Sequence, residues 1–430
     1  MSTNRIDSLW AATASAAPQT PALRGTHQCD VAIIGGGFTG LCAAHHIAAS
    51  GRAPLLLEAR ELGFGASGRN GGVVTAKFRV SFRDLERQHG LEIARRMYQM
   101  GYAAIDHLET MTQQLSLTAA DFQRRGHLAL AHTPRALQGL GAEVAWIERE
   151  FGKGAARLLS KEEIEREVAV TGFHGGLLSP KAGGVHPLEY LRGIARGLVD
   201  RGVAVHGDSP VTRIEQLGDR VVVETEHGRV EAGQLIIATN GYSDLTPATR
   251  AMHRQLIPFR SAIISTAPLP AALIERIMPG RRLCGDTKRM LRWFRLVGDR
   301  LIFGGRGAFG RDDSKQAFDE LERSMRALFP ALEGIAVEHR WSGLVAMTLD
   351  YLPHVGRIGE RVFYSVGYNG SGVALSGYMG KQLAALSAGE PVWLGPLERQ
   401  TAQEIPLHAL RAPGVRLAAG WQQLLDALGR

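Results

Sequence analysis

At 430 residues, 45% hydrophobic and 21% charged, the chain is long enough for about two to three domains with substantial cores and too apolar for a disordered tail protein. Its formal net charge of +8 comes from arginines scattered along the chain, with no nucleic-acid motif. It therefore reads as a basic solvated surface, and no nucleic-acid partner is expected.

The three cysteines, Cys29, Cys42 and Cys284, show neither CxxC nor metal-ligand spacing, which points to buried thiols in a reducing compartment and to no metal. No apolar run is long enough to span a bilayer, and Met1 to Ser15 lack a signal-peptide core. The expectation is a soluble cytoplasmic protein.

Residues 1–28, rich in Ala, Thr and Pro, read as a surface arm with Leu9 and Trp10 as its anchor. The stretch Cys29-Asp-Val-Ala-Ile-Ile-Gly-Gly-Gly-Phe-Thr-Gly40 then runs from a buried-strand pattern through a glycine turn into a small-residue helix. Gly35 permits the tight turn, Gly37 lets backbone approach a pyrophosphate, and Gly40 lets helix and strand pack closely. Phe38 and Thr39 lie in this turn, ahead of the helix Leu41 to Ala49, whose N-terminus faces the anion. A second strand, Pro54 to Leu57, ends in Glu58, where an acid would accept hydrogen bonds from an adenosine ribose. Strand, helix and terminal acid together predict a dinucleotide-binding βαβ unit.

The loop after Glu58, Ala59-Arg60 through Gly63-Phe-Gly-Ala-Ser-Gly-Arg-Asn-Gly-Gly72, is too rich in glycine and polar groups to be a plain connection. Ser67, Arg69 and Asn70 offer donors, while Gly68, Gly71 and Gly72 let backbone amides approach a flat or phosphorylated ligand, with Ala66 a further candidate in the same loop. Together, the Gly35–Gly40 and Gly63–Gly72 motifs resemble the FAD-dependent D-amino-acid oxidase superfamily. Within it, the chain is most similar to the gamma-glutamylputrescine oxidoreductases.

The resemblance implies an α/β fold, α+β overall. A Rossmann-like FAD-binding domain of the glutathione-reductase type (29–80, 172–250 and 338–390) would interleave with a mainly antiparallel β-sheet substrate domain (81–171 and 251–337). Residues 391–430, a basic tail with Trp421, would pack on the FAD domain. The periodicity from 82 to 117 reads as one long or broken amphipathic helix, Gly126 to Ala131 as a strand, and 136–149 and 161–167 as helices. His186-Pro187 resembles the family's re-entry into the FAD domain, with His186 either facing the flavin or serving only the helix entry.

Val211 would meet the adenine through its backbone. Thr239-Asn240-Gly241 follows a buried strand and resembles the second cofactor-proximal turn. Gly343 and the turn Gly367-Tyr368-Asn369-Gly370-Ser371-Gly372, which leads into another small-residue helix, would lie against the flavin ring. Two departures weaken transfer of the exact substrate: Ser371 stands where the relatives tend to have histidine, and Arg292 aligns with an acid.

FAD is expected to bind noncovalently, since the cysteine by which the related sarcosine oxidases attach flavin has no counterpart near the C-terminus. It would oxidise a CH–NH bond by hydride transfer to flavin N5, giving an imine that hydrolyses, without a strong protein base. The substrate would be a small amine or amino acid. Candidates on that side are Tyr242, Arg292, Arg306, Trp341 and Met347, with either arginine able to pair with a carboxylate. The acceptor is oxygen or another oxidant. Ile302 stands where sarcosine oxidases carry an oxygen-assisting lysine, which keeps a quinone-linked dehydrogenase in view. A basic flavoprotein acting on RNA is the reading from a different class, and steep salt dependence of RNA binding would mark it.

Overall fold

In the computed structural model, which describes residues 7–306, 315–401, 404–406 and 408, the chain divides its strands between two large sheets. The first is nine-stranded and centres on Gly25–Ile34, paired in parallel with Pro54–Leu57 on one side and Gly228–Ile237 on the other. Val31 to Ile34 and Leu55 to Leu57 are almost wholly buried, as a parallel sheet covered on both faces requires. Val362–Val366 and His354–Ile358 extend it at one edge and Ala204–His206 at the other, while Arg220–Thr225 and Val211–Leu217 form an antiparallel branch.

Helices Phe38–Ala49 and Gly372–Ser387 cross this sheet in close contact. A Cβ at Gly380 would stand 2.3 Å from the Thr39 carbonyl oxygen, so small residues set their approach.

The second sheet has eight strands in the order Val337–Met347, Ile257–Thr266, Arg300–Arg306, Arg292–Val297, Leu283–Asp286, His127–Leu130, Gly176–Ser179, Arg157–Leu159. All its pairs are antiparallel except Leu283–Asp286 with His127–Leu130. Phe294, Phe303 and Ile264 pack under helix Lys315–Leu328 on one face. The opposite face borders a cavity shared with the first sheet.

One sequence expectation changes here, and three others gain detail. The periodic stretch from 82 breaks into Phe82–His89 and Leu91–Gln114 at Gly90, whose φ of 87° a side chain would oppose. Gly176–Ser179 and Val337–Met347 join the antiparallel sheet although the first, and all but Val337 of the second, lie inside segments assigned to the FAD domain. The N-terminal segment is anchored at Leu9 and Trp10, which are 2% and 0% exposed in a helix, Leu9–Thr13, that Ser8 caps by accepting the Ala11 amide at 3.0 Å, while residues 11–22 are exposed or half-buried. Leu9 and Trp10 fill a cluster with Leu188, Ile263, Ile302 and Trp341 between the sheets. Of the C-terminal tail, Glu398–Arg399 adds a short strand beside His354–Ile358, whereas Trp421 lies outside the described residues.

Candidate functional site

A cavity of about 570 Å³ runs from the glycine turn of the parallel sheet to the inner face of the antiparallel one. At its first end, Gly35 adopts φ 111°, and a Cβ there would lie 2.8 Å from the Ala238 oxygen. Helix Phe38–Ala49 begins at Gly37 without a side-chain cap of its own. The Ser67 hydroxyl instead reaches across and accepts the Phe38 amide at 3.0 Å. Gly40 lies against Gly35, where a Cβ would come within 1.9 Å of the carbonyl oxygen; its task is packing, and it does not border the cavity.

Glu58 accepts the Gly36 amide at 2.6 Å and the Arg60 amide at 3.1 Å. Burial pushes its carboxyl up from the ordinary value, and the amides of Gly36, Arg60 and Ala59 pull it back.

Further along, Tyr368 bonds Thr39 and Ser365 through its hydroxyl, both at 2.8 Å. Asn240 and Asn369 take left-handed φ values of 44° and 54°. Their side chains then tie the second turn: Asn240 Oδ1 accepts the Gly367 amide at 2.9 Å and Asn369 Oδ1 accepts the Thr348 amide at 2.9 Å. Helix Gly372–Ser387 points its N-terminus at the same space, again with no side-chain cap.

Most of the predicted cofactor residues meet at this cavity. Gly35, Gly37, Phe38, Thr39, Glu58 and Ala59 line it, as do Ala66, Ser67, Arg69, Asn70 and Gly71 from the loop. Thr239, Asn240, Gly343 and Tyr368 to Gly372 complete that wall. Besides Gly40, five predicted residues are not part of the lining. Gly72 is pressed against the Val185 oxygen, Arg60 is exposed, and Val211 is buried in the core of the nine-stranded sheet. Gly241 and Gly367 sit one layer behind, against Ala346 and Thr348.

On the substrate side, only Tyr242 of the predicted group lines the cavity, its hydroxyl accepting the Leu344 amide at 3.2 Å. Strand alternation removes Arg292: Trp293 points into the cavity, so its neighbour points the other way. Trp341 is 1% exposed and donates its indole N–H to the Arg69 carbonyl at 2.9 Å, and Met347 lies outside the lining. Arg306 ends its strand, and its side chain lies outside the described residues. His186 caps helix Pro187–Val199 by accepting the Glu189 amide at Nδ1, which leaves Nε2–H to donate to Thr13. Its role is the helix entry.

The sequence reading missed Lys77, Arg79, His127, Thr287, Lys288 and Trp293, all of which line the cavity. Lys77 is exposed along the cavity and otherwise hemmed in by protein; desolvation and the charge of Arg79 pull its ammonium down to about 8. Burial, then the charge of Lys77, hold His127 well below the ordinary histidine value, so it is a neutral imidazole. Among the described lining residues Glu58 is the single carboxylate. A run of cations without partner acids, close behind the Gly71-Gly72 loop, was the signal available in the sequence.

A cradle of glycines, two helix N-termini and a terminal acid on a strand fit FAD. Cys29, Cys42 and Cys284 are free thiols, and none lines the cavity, in keeping with noncovalent binding.

A family model described as "DAO: FAD dependent oxidoreductase" matches residues 30–386. The chain is 30% identical over 433 residues to a gamma-glutamylputrescine oxidoreductase of Escherichia coli strain K12, covering 99% of this chain and all of that one. It is 31% identical over 375 residues to a probable oxidoreductase OrdL of Haemophilus influenzae, covering 86% of each. Among solved structures, glycine oxidase from Geobacillus kaustophilus superposes with a TM-score of 0.74 at 20% identity, over 86% of this chain and 98% of that one. L-proline dehydrogenase from P. horikoshii does so with a TM-score of 0.72 at 18% identity, over 87% and 96%. No helix among the described residues is long and apolar enough to cross a membrane. With its cofactor-shaped cavity and these likenesses, the chain belongs to the DAO family of FAD-dependent oxidoreductases.

Proposed function

We propose that this enzyme oxidises the CH–NH bond of an amine that also carries a carboxylate, such as an amino acid or a gamma-glutamylated amine. The observation that carries this reading is the charge of the substrate wall: Lys77, Arg79 and Lys288 face a cavity whose single described carboxylate, Glu58, belongs to the cofactor end. A free polyamine would meet like charge there, whereas a carboxylate would find its counter-ions. The gamma-glutamylputrescine oxidoreductase of Escherichia coli is a relative of this kind, and the shared full-length similarity supports the class.

When bound, FAD supplies an acceptor for the hydride leaving the carbon beside the nitrogen. The chain must deliver the amine neutral and hold it still. The surrounding cations disfavour the substrate ammonium, and neutral His127 offers a nitrogen within the same wall. Trp293, held between Gly71 and Gly304, shapes the apolar side. The imine product hydrolyses to a carbonyl and an amine or ammonia. Ile302 is buried in the same cluster as Trp10 and is not part of the cavity lining, so the lysines in the site come from elements other than the one aligned with the sarcosine oxidases.

We read oxygen or an alternative oxidant, a quinone or a protein, as the electron acceptor, and the cytoplasm as the location. The cofactor would lie between an FAD domain and an antiparallel substrate domain. Anaerobic bleaching of the yellow protein, near 450 nm by the usual flavin band (roughly), across amino acids, polyamines and gamma-glutamyl amines tests the substrate class. Bleaching by carboxylated amines is expected, and bleaching by free polyamines alone would refute it. Readmitting air then tests oxygen as the acceptor.

A further inference from the structure

Four consecutive carbonyls of the loop that walls the cavity are bound from outside it. The Arg69 oxygen accepts the Trp341 indole N–H at 2.9 Å, the Asn70 oxygen accepts the Trp10 indole N–H at 2.8 Å, and the Gly71 oxygen accepts Arg295 Nε at 2.9 Å. The Gly72 oxygen accepts the Val185 amide at 2.9 Å, and Arg295 ties Val185 in turn through its own carbonyl at 2.7 Å. None of the four donors lines the cavity, while Arg69, Asn70 and Gly71 do. The oxygen edge of the loop is therefore turned outward.

These donors come from three separate elements: helix Leu9–Thr13, strand Arg292–Val297 and strand Val337–Met347, with Val185 just before helix Pro187–Val199. They form one buried unit. Trp10 meets Trp341 edge-on at 6.1 Å, and the Arg295 guanidinium lies 5.7 Å from the Trp10 ring. Burial lowers that guanidinium to about 10, so its bonds to two carbonyls are what compensate its desolvation. The N-terminal helix is stitched down further by the Ser15 hydroxyl, which donates to Glu189 at 2.9 Å. It lies before residue 30, where the match to the family model begins.

We propose that Trp10 is a positioning residue of the flavin site: with Trp341 and Arg295 it holds the electron-rich carbonyl edge of residues 69–72 away from the cavity. The Arg69 and Asn70 amides bond the Ala66 carbonyl and the Gly72 amide bonds Asn70 Oδ1, so what this arrangement gives the cavity is a wall from which the carbonyl oxygens are turned away, which suits a ring that gains electrons. A freed Asn70 carbonyl would either turn toward that ring or stay buried without a donor. The inference rests on FAD occupying this cavity.

The test compares Trp10→Phe with Leu9→Ala, which loosens the same cluster without removing a hydrogen bond. FAD dissociation constant, midpoint potential of the bound flavin and thermal midpoint are measured for each. Trp10→Phe is expected to bind FAD about tenfold more weakly, the loss that an unsatisfied buried acceptor produces, and to shift the flavin potential to more negative values. Leu9→Ala is expected to lower the thermal midpoint while leaving affinity within about twofold and the potential in place. Parallel changes in both variants, or an unmoved potential in Trp10→Phe, would overturn the proposal. Should Trp10→Phe not fold, Trp341→Phe removes the donor to the neighbouring carbonyl and is read the same way. Failure of the unaltered protein to bind FAD would instead remove the cofactor reading itself.

Discussion

Replacing Lys77 with methionine keeps the length of the side chain and deletes its charge, which makes it the sharpest probe of the substrate wall. A carboxylate about 4 Å from an ammonium at an effective dielectric near 20 is worth about 4 kcal/mol. Two features reduce this figure. Arg79 and Lys288 remain in the cavity, and Lys77 itself, drawn down to about 8, is only partly charged near that pH. A net loss of about 2 to 3 kcal/mol corresponds to about a 30- to 150-fold fall in kcat/KM for a carboxylated amine.

The decarboxylated analogue of the same amine never used the charge, so its kcat/KM should hold or rise. The sign with pH follows from the lowered value: the ammonium is present below about 8 and lost above it. The gap between the unaltered enzyme and Lys77→Met should accordingly close as pH rises past that point. Stopped-flow flavin reduction under anaerobic conditions, run on both amines from about pH 6.5 to about pH 9.5, measures this. Equal losses on the two amines, or a gap that ignores pH, would refute the carboxylate assignment.

Arg292→Ala should leave both amines within about twofold of the unaltered enzyme, because Arg292 lies on the strand face opposite Trp293; a selective loss on the carboxylated amine in the same assay would return the clamp to it. Gly40→Ala should strip FAD from the protein, since the new Cβ would strike the Gly35 carbonyl at 1.9 Å and only backbone can give way; flavin content after desalting reads this out. His45 and His107 are buried and His46 half-buried in one chain, with 2.8 Å between the last two in sequence, His46 and His107, and Arg201 bonded to His45. Desolvation lowers them to about 4, 4 and 3 from 6.5, so the unfolded chain binds more protons between those values and the thermal midpoint should fall as pH drops from 6.5 toward 4. A His107→Phe variant with an equally steep fall would remove that explanation. Burial pushes the Cys42 thiol up to about 12, so it should resist iodoacetamide in the native protein at pH 8 or so and react on unfolding, as intact mass will show.

The cofactor end of the site was legible because its chemistry is local. A turn that only Gly35 can make, a packing contact only Gly40 can allow, and an acid at the end of the next strand all fall within 24 residues, Gly35 to Glu58, and each leaves its mark on residue type. The substrate end has no such compactness. Arg292 was one of two candidate clamps until the alternation of its strand placed Trp293 in the cavity instead, and nothing in the residues around Lys77 marked it out. Tyr242 was found because it follows a cofactor turn directly, whereas His127 and Lys288 come from strands and loops separated by more than 150 residues of chain.

The sequence by itself determined the dinucleotide βαβ unit, the second glycine turn, the periodic helices and the family, since backbone conformation and close packing constrain residue identity at fixed spacing. Only the tertiary structure decided that Trp10 reaches the loop at Asn70, that Gly176–Ser179 and Val337–Met347 join the antiparallel sheet, and that a cluster of cations faces the substrate space. Those facts are set by which distant strands pair and which face of each strand turns inward, and long-range pairing leaves no periodic trace in the chain.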